Sequence, residues 1–537
     1  MRQGYGIGVA VLLLCIAPFA GLAQDSLEEV RFDVERFDVI GDNPIGDDAN
    51  SVLDPYLGEQ FGLEGLSAAR DALEQALIEA GFNFHRVSLP PQDLKGGAVI
   101  LSVSRFAIGK VEISGNEFFD DDNIRNSVPQ LVEGETPNTR LLSRSLKLAN
   151  EHASKSTVLR FSEGVESDSI DAVLDVQDSD PQVIFISLDN TGPDEDGERF
   201  RTTLGYQHGN LFNSDQSLTA TLTTAPEDTD ITTQFGLNYH IPMYRHGASV
   251  DLLFSDSESA GETGGQDDAG QGIAPGTGGG QALEITGAGR VYGVIYNRPL
   301  LTDSSYNHSW SVGLQHKAFD NTSEFNDVEL VGADLISVPL ELGYRFSEQS
   351  AGSSFYGSAT LVQEVGDDDT EYDDDRLDAE SGWTALKWEL TYDLLFSGDY
   401  LLHTRFSGQL TDALLISGEQ YGIGGERTLR GFEERSVTGD SGYLLNVEIW
   451  FPPLESIDMR FLVFTDAGYT EYNDGDSPGN DGEDFSVSSV GLGMYWAWRD
   501  SLSVSLNYGY ITQGGGLDSD INQDGDSKAH LSAVYRF

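Results

Sequence analysis

Thr202-Thr203-Leu204-Gly205-Tyr206 and Leu218-Thr219-Ala220-Thr221-Leu222 decide the architecture of most of the chain. In both, apolar residues recur at every second position with small residues between them. That is the period of a β-strand whose two faces meet different surroundings. The chain ends the same way. Leu531, Ala533, Tyr535 and Phe537 share a face opposite Ser532 and Arg536, and Val534 alone breaks the polar side. From Gln182 onward about sixteen such segments can be marked, roughly 22 residues for each strand and its turn. This suits membrane-crossing strands of about 9–11 residues with variable loops.

The N-terminus fixes the compartment. Arg2 precedes an apolar run, Ile7 to Phe19, that is too short to span a bilayer, and Gly21 and Ala23 stand before a predicted cut at Gln24. This is a secretory signal peptide over residues 1–23. The single cysteine, Cys15, lies inside it behind the large Leu14, so no lipid anchor is predicted. The mature chain then has no disulfide, no thiol catalysis and no cysteine metal site. No other stretch is apolar for long enough to form a membrane-spanning helix. Aromatics at 10% and 61 glycines suit a transmembrane barrel, in which only alternate residues face lipid. A soluble sandwich also has many strands, but the export signal and the terminal aromatic favour a barrel in the cell outer membrane. Tight links such as Leu211-Phe212-Asn213 and Met243-Tyr244-Arg245 are predicted at the periplasmic rim, and long ones such as Ser257 to Gln281 outside the cell.

The formal net charge is −58. Nucleic acid, whose phosphates call for basic patches, is excluded as a partner. The acids cluster in Asp367 to Asp375, Asp474 to Asp484 and Asp518 to Asp526. They read as solvated, mutually repelling loops. Calcium binding is the sharper alternative, but the twelve-residue calcium loop with its closing Glu is absent. No metal site or cofactor is predicted. No Gly-x-Ser-x-Gly, His-Glu-x-x-His or phosphate loop occurs, so an enzyme is not expected.

Ahead of the barrel, assigned to 181–537, stand two α+β modules, 28–105 and 106–180. In the first, Val30 to Ile40 alternates like a strand. Ala69, Leu73, Ala76, Leu77 and Ala80 then share a helix face, and Phe84 to Leu89 and Ala98 to Val103 read as strands. The second repeats the order. Lys110 to Ser114 is a strand and Asp121 to Ser127 a helix. Asn138 caps a helix through Leu141, Leu142, Leu146 and Leu148, and Thr157 to Phe161 and Ile170 to Val176 are strands. The shared order, strand-helix-helix-strand-strand, suggests duplication.

Three short strings carry more than architecture. Gly425-Glu426-Arg427-Thr428-Leu429-Arg430-Gly431-Phe432 lies in a long loop after the eleventh strand. Phe464-Thr465-Asp466-Ala467-Gly468 lies on the thirteenth and Ser489-Val490-Gly491-Leu492-Gly493 on the fourteenth. Together and in order they resemble the superfamily of outer-membrane insertases and translocators with POTRA domains. Gly81-Phe82, Val87 to Leu94 with its Pro90-Pro91-Gln92, and Gly97 narrow the resemblance, as do Leu188-Asp189-Asn190-Thr191-Gly192, Gly197 and Arg199. They are similar to the two-partner secretion transporters, the TpsB or hemolysin-activator type. The resemblance spans essentially the whole mature chain.

It implies a mixed fold: two small α+β POTRA domains in the periplasm, then a 16-stranded antiparallel transmembrane β-barrel. It implies an outer-membrane translocator that recognises an unfolded exoprotein, an adhesin or cytolysin, and secretes it through the barrel. It also implies a pore-loop motif at Leu429, Arg430, Gly431 and Phe432, and an anchoring motif at Phe464, Asp466, Gly468, Gly491 and Gly493, with Arg430 pairing Asp466. Tyr535 and Phe537 are the expected signal to the barrel assembly machinery, and outer-membrane lipid is the other expected partner. His530 reads as interfacial. Many relatives carry a plug helix before the first POTRA domain. Asp25 to Glu29 offers no room for one, so none is expected. Two alternatives compete: an insertase that assembles other barrels, which usually has more POTRA domains, and a passive porin, which needs neither POTRA domains nor the loop.

Overall fold

The computed structural model describes residues 31–61, 63–192, 199–227, 232–259, 289–300, 306–319, 322–325, 328–331, 335–366, 372–373, 375–475, 482–499, 501–516 and 522–537. The predicted signal peptide with Cys15, Asp25 to Glu29, Gly197, most of the Ser257 to Gln281 link and parts of all three acidic runs lie outside them. The chain divides into one unit ending at Arg105 and a second running from Phe106 to Phe537.

In the first unit Ala98–Arg105 is the central strand, parallel to Arg36–Gly41 and antiparallel to His85–Ser88. Helix Glu64–Glu79 lays Leu66, Ala69, Leu73 and Leu77 on this sheet. These positions recur at three and four residues, which puts them on one face of a helix. The strand predicted over Val30 to Ile40 is divided at Glu35. Arg31–Val34 pairs with Gly58–Phe61 instead, because the amides of Glu35 and Arg36 both donate to the Gly97 carbonyl and turn the chain there. Beyond the end of His85–Ser88, the Gln92 side chain takes the place of a neighbouring strand. It accepts from the Ile100 amide at 2.6 Å and donates to the Ile100 carbonyl at 2.8 Å.

The second module has the predicted order: strand Ala107–Ser114, helices Asp121–Ser127 and Thr139–Ala149, strands Lys155–Glu163 and Ser169–Asp178. Its sheet repeats the first one's arrangement, with the last strand central. Asn138 caps its helix as expected, accepting from the Leu141 amide at 3.1 Å.

Among the described residues, sixteen antiparallel strands close into a barrel running from Gln182–Asp189 to Ser527–Arg536. The eighth is in two pieces, Leu335–Ser337 and Pro339–Gln349, both paired with Tyr306–Phe319. The barrel reverses the modules' logic. Leu204, Leu222, Tyr292 and Leu492 face outward and exposed, while Thr203, Thr221, Gln234 and Asp251 are buried inward. Lipid outside and a polar bore inside require this inversion. The closing seam is short, from Phe185 opposite Arg536 to Asp189 opposite Ser532. Asn190 then extends it with its side chain, accepting from the Leu531 amide and donating to the Ala529 carbonyl, each at 2.7 Å.

The tight links predicted for the periplasmic rim are where the second module seats. Lys155 Nζ lies 2.5 Å from Asp215 Oδ2 and 2.9 Å from Asn123 Oδ1. Asn123 Nδ2 donates to the other Asp215 oxygen at 2.8 Å, and the Tyr244 hydroxyl donates to Asp215 at 2.5 Å. Both charged side chains are sealed from solvent. Burial pulls the Lys155 pKa down, and the neighbouring Asp215 carboxylate pushes it back up.

Candidate functional site

Residues 412–440 join the eleventh strand, Tyr400–Thr411, to the twelfth, Ser441–Trp450. They run into the bore, tied at mid-loop by a short hairpin, Tyr421–Ile423 with Val437–Gly439. On one side of the bore Glu419 accepts from Lys317 Nζ of the seventh strand at 2.6 Å. On the opposite side Glu426 accepts from Ser505 Oγ of the fifteenth at 2.6 Å, and Lys528 of the sixteenth pairs with Glu433. The loop therefore crosses the lumen from wall to wall.

At its tip Arg430 is buried with 4% of its surface exposed, and Asp466 on the thirteenth strand, Met459–Glu471, has none exposed. The predicted pair forms. Arg430 Nε donates to Asp466 Oδ2 at 2.8 Å and Nη2 to Oδ1 at 2.7 Å. The Arg430 amide and Asn446 Nδ2 supply two further donors to the same carboxylate, at 3.1 and 2.8 Å. A planar guanidinium bound to both oxygens has its rotation fixed as well as its position. The third guanidinium nitrogen donates to Glu448 at 2.6 Å, and Glu448 is held by Trp450 Nε1 at 2.7 Å.

The anchoring motif builds a stack beneath this pair. The guanidinium carbon lies 3.6 Å from the centre of the Phe464 ring, within range of a cation–π contact. Phe464 faces Gly491 across the ladder. A Cβ on Gly491 would come within 2.2 Å of the Phe464 ring, so only glycine lets the ring lie against the wall and carry the arginine on its other face. Gly468 makes room for Ile423 of the loop, and Gly493 for Leu462 and Asn507.

Gly431 has φ +98° and passes against Gly509 of the fifteenth strand, Leu502–Gln513, where a Cβ on Gly509 would stand 2.4 Å from the Gly431 nitrogen. Leu429 and Phe432 are fully buried with Ile423, Val437, Leu444, Val487 and Ile511. Phe432 therefore wedges the loop against the wall and packs the loop's own core at once. Tyr535 and Phe537 are exposed at the barrel's end, their rings in edge contact at 4.9 Å, and the Phe537 amide donates to the Ile184 carbonyl at 2.9 Å.

His530 is not interfacial. It is buried and its Nε2 accepts from the Gly431 amide at 3.0 Å. It pairs with Asn507 across the ladder, and that position faces the bore. Glu448, Asn446, Glu426 and Gly509 also went unpredicted. For Asn446 and Glu448 the available signal was parity, since a charged or amide residue on the inward face of a membrane strand needs a partner there. Glu426, in the loop, and Gly509, without a side chain, carried no such signal.

The haemolysin secretion/activation protein ShlB/FhaC/HecB family model matches residues 168–495, more than half of the chain. The ShlB-type POTRA domain model matches residues 32–105. A heme/hemopexin transporter protein HuxB of Haemophilus influenzae is 18% identical over 527 residues, covering 97% of this chain and 89% of the relative. The solved structure of CdiB from Escherichia coli superposes with a TM-score of 0.67 at 17% identity, covering 96% of this chain and 93% of that one. CdiB from Acinetobacter baumannii gives 0.68 at 16% identity, with 94% and 90% covered. The chain thus belongs to the haemolysin secretion/activation protein ShlB/FhaC/HecB family, the outer-membrane two-partner secretion transporters whose barrels follow periplasmic POTRA domains and handle secreted exoproteins.

Proposed function

We propose that the chain captures one large unfolded exoprotein in the periplasm and passes it through the bore once residues 412–440 move aside. The observation that carries this reading is the loop lying wall to wall across the lumen, its tip held by Arg430 on Asp466. In the second module, among the described residues, Lys155–Glu163 is the edge strand of the sheet beside Ser169–Asp178, with the Asn150 side chain bonded to the backbone of Thr157. An extended chain can add to such an edge through its backbone, which suits a client without a fold. In this reading Leu429 to Phe432 are the movable tip, and Phe464, Asp466, Gly468, Gly491 and Gly493 its seat. Tyr535 and Phe537 are the mark read by the barrel assembly machinery, lipid surrounds the outward face, and no reaction is catalysed.

Deleting the gene tests it. One large exoprotein should disappear from the surface and medium while other outer-membrane barrels stay at their normal level. A general loss of barrels would instead identify an insertase. Truncating Phe537 should lower the amount of inserted barrel and leave the secretion of each inserted copy unchanged.

A further inference from the structure

Asp440 stands where the inner loop returns to the wall, one residue before the twelfth strand, and it is fully buried. Its carboxylate takes four N–H donors. Arg376 approaches with Nη1 on Oδ1 and Nη2 on Oδ2, the latter at 3.0 Å. The Leu415 amide donates to Oδ1 at 2.9 Å and the Asn473 amide to Oδ2 at 2.8 Å. Leu415 lies on the outgoing limb of the inner loop and Asp440 on its returning limb. Arg376 belongs to neither. It stands on the link between the ninth strand, Ser353–Glu364, and the tenth, Thr384–Phe396, on the rim opposite the second module.

That link grips the loop in two further ways. Arg376 Nη1 also donates to the Leu415 carbonyl at 2.9 Å, and Asp375 beside it accepts from the Ser417 amide at 3.0 Å. Tyr372, Ala379 and Trp383 then pack with Leu415 and Ile416 in a buried apolar cluster. One guanidinium therefore joins both limbs of the inner loop at its base. The chemistry repeats that of Asp466: a fully buried carboxylate, a two-pronged arginine and two amide donors. The difference is the arginine's origin. At the tip the loop supplies it to the wall, and at the base an outer link supplies it to the loop.

We infer that the Arg376–Asp440 pair is a second lock on the bore, by which the outer link between strands nine and ten clasps the base of the inner loop. The loop leaves the lumen only when this pair opens or when the link travels with it. The inference rests on the proposed reading that the loop closes the bore.

The test is the conductance of the full-length protein in planar bilayers, with Arg376→Gln, Asp440→Asn and, as reference, Arg430→Ala. Removing Arg376 leaves Asp440 with two amide donors, and Asn at 440 keeps its shape, so both variants retain partners at the site. Heat-shifted electrophoretic mobility checks their insertion. We expect each to open spontaneously at least about tenfold more often than the parent, a modest fraction of what breaking a buried pair allows. Parental opening in both, with frequent opening in Arg430→Ala, overturns the second lock and leaves the loop reading standing. Parental opening in all three overturns both. If Arg376→Gln fails to insert, Asp440→Asn decides alone by the same criterion.

Discussion

Two of the molecule's buried ion pairs, Arg430 with Asp466 in the bore and Lys155 with Asp215 at the periplasmic rim, are built differently. In the bore Arg430 meets two carboxylates, an aromatic face and a shaped wall. At the periplasmic rim Lys155 meets one carboxylate, steadied by Asn123 and Tyr244. A guanidinium is a flat fork that fixes direction, whereas an ammonium is a compact charge that tolerates rotation. The fork sits at the tip of a loop that crosses the bore and that, in the proposed reading, must occupy one pose and still be releasable. The point charge sits where one module need only be seated on a rim. The same distinction orders what substitutions should do.

Arg430→Ala should have the largest effect. It strands Asp466, which has no exposed surface, beside Glu448. Leaving such a charge unpaired costs about 3–5 kcal/mol. The barrel should insert, leak and lose export of its client, measured as exoprotein in the medium per inserted copy. Arg430→Lys should recover little, because one ammonium cannot serve both oxygens. Full recovery would mean that the clamp is charge alone, no different in kind from the rim pair. Adding Asp466→Asn to Arg430→Ala should be milder than Arg430→Ala by itself.

Lys155→Met comes next. It leaves Asp215 buried with Asn123 and Tyr244 as donors, and it removes a cation that meets one carboxylate where Arg430 meets two, so the loss should fall below that at Arg430. Hydrogen–deuterium exchange should quicken across 155–163 while bilayer conductance stays parental. A conductance change as large as that of Arg430→Ala would erase the contrast between seat and clamp. Lys155→Met with Asp215→Asn should return much of the protection, since a buried pair is commonly no better than a matched neutral one.

Gly491→Ala is the sharper probe of the clamp's seat. The new methyl would collide with the Phe464 ring and with the Tyr508 carbonyl, each at 2.2 Å. Overpacking of this kind costs about 1–3 kcal/mol. Because the ring carries Arg430, the variant should open more often in bilayers while the second module's exchange is unaltered.

The barrel was legible because lipid on one face and water on the other force a period of two on every strand. The Arg430–Asp466 contact was legible through the resemblance carried by short strings in the loop after strand eleven and on strands thirteen and fourteen. Lys155 with Asp215 and Arg376 with Asp440 were not. Each pair joins segments 60 or 64 residues apart, and nothing around either residue announces its partner. Asp440 in particular reads as one more acid in a chain full of them. His530 was misread because a lone histidine near a chain end carries no parity until the strand's register is known.

The smallest expected effect belongs to His152, at the edge of the rim seat. Its Nε2 lies 2.6 Å from the Gly209 carbonyl, and its Nδ1 accepts from the Ser154 amide at 3.0 Å. The ring is therefore neutral, with the proton on Nε2, and a proton on Nδ1 would face another N–H. Burial is the main cause that lowers its pKa below the ordinary 6.5, with Lys155 and His240 adding to it while the Gly209 bond and Asp215 oppose. The sign follows from linkage. A group whose folded pKa is depressed contributes stability above its unfolded value and loses it as pH falls toward the folded one. Seating should thus be firm at neutral pH and weaken below about 6.5, read as faster exchange in 149–160 as the medium is acidified. His152→Gln keeps a donor for Gly209 and has no proton to gain. Its exchange should vary less between neutral and mildly acidic solution, and an unchanged acid response would show that the pH sensitivity of the seat lies with another group.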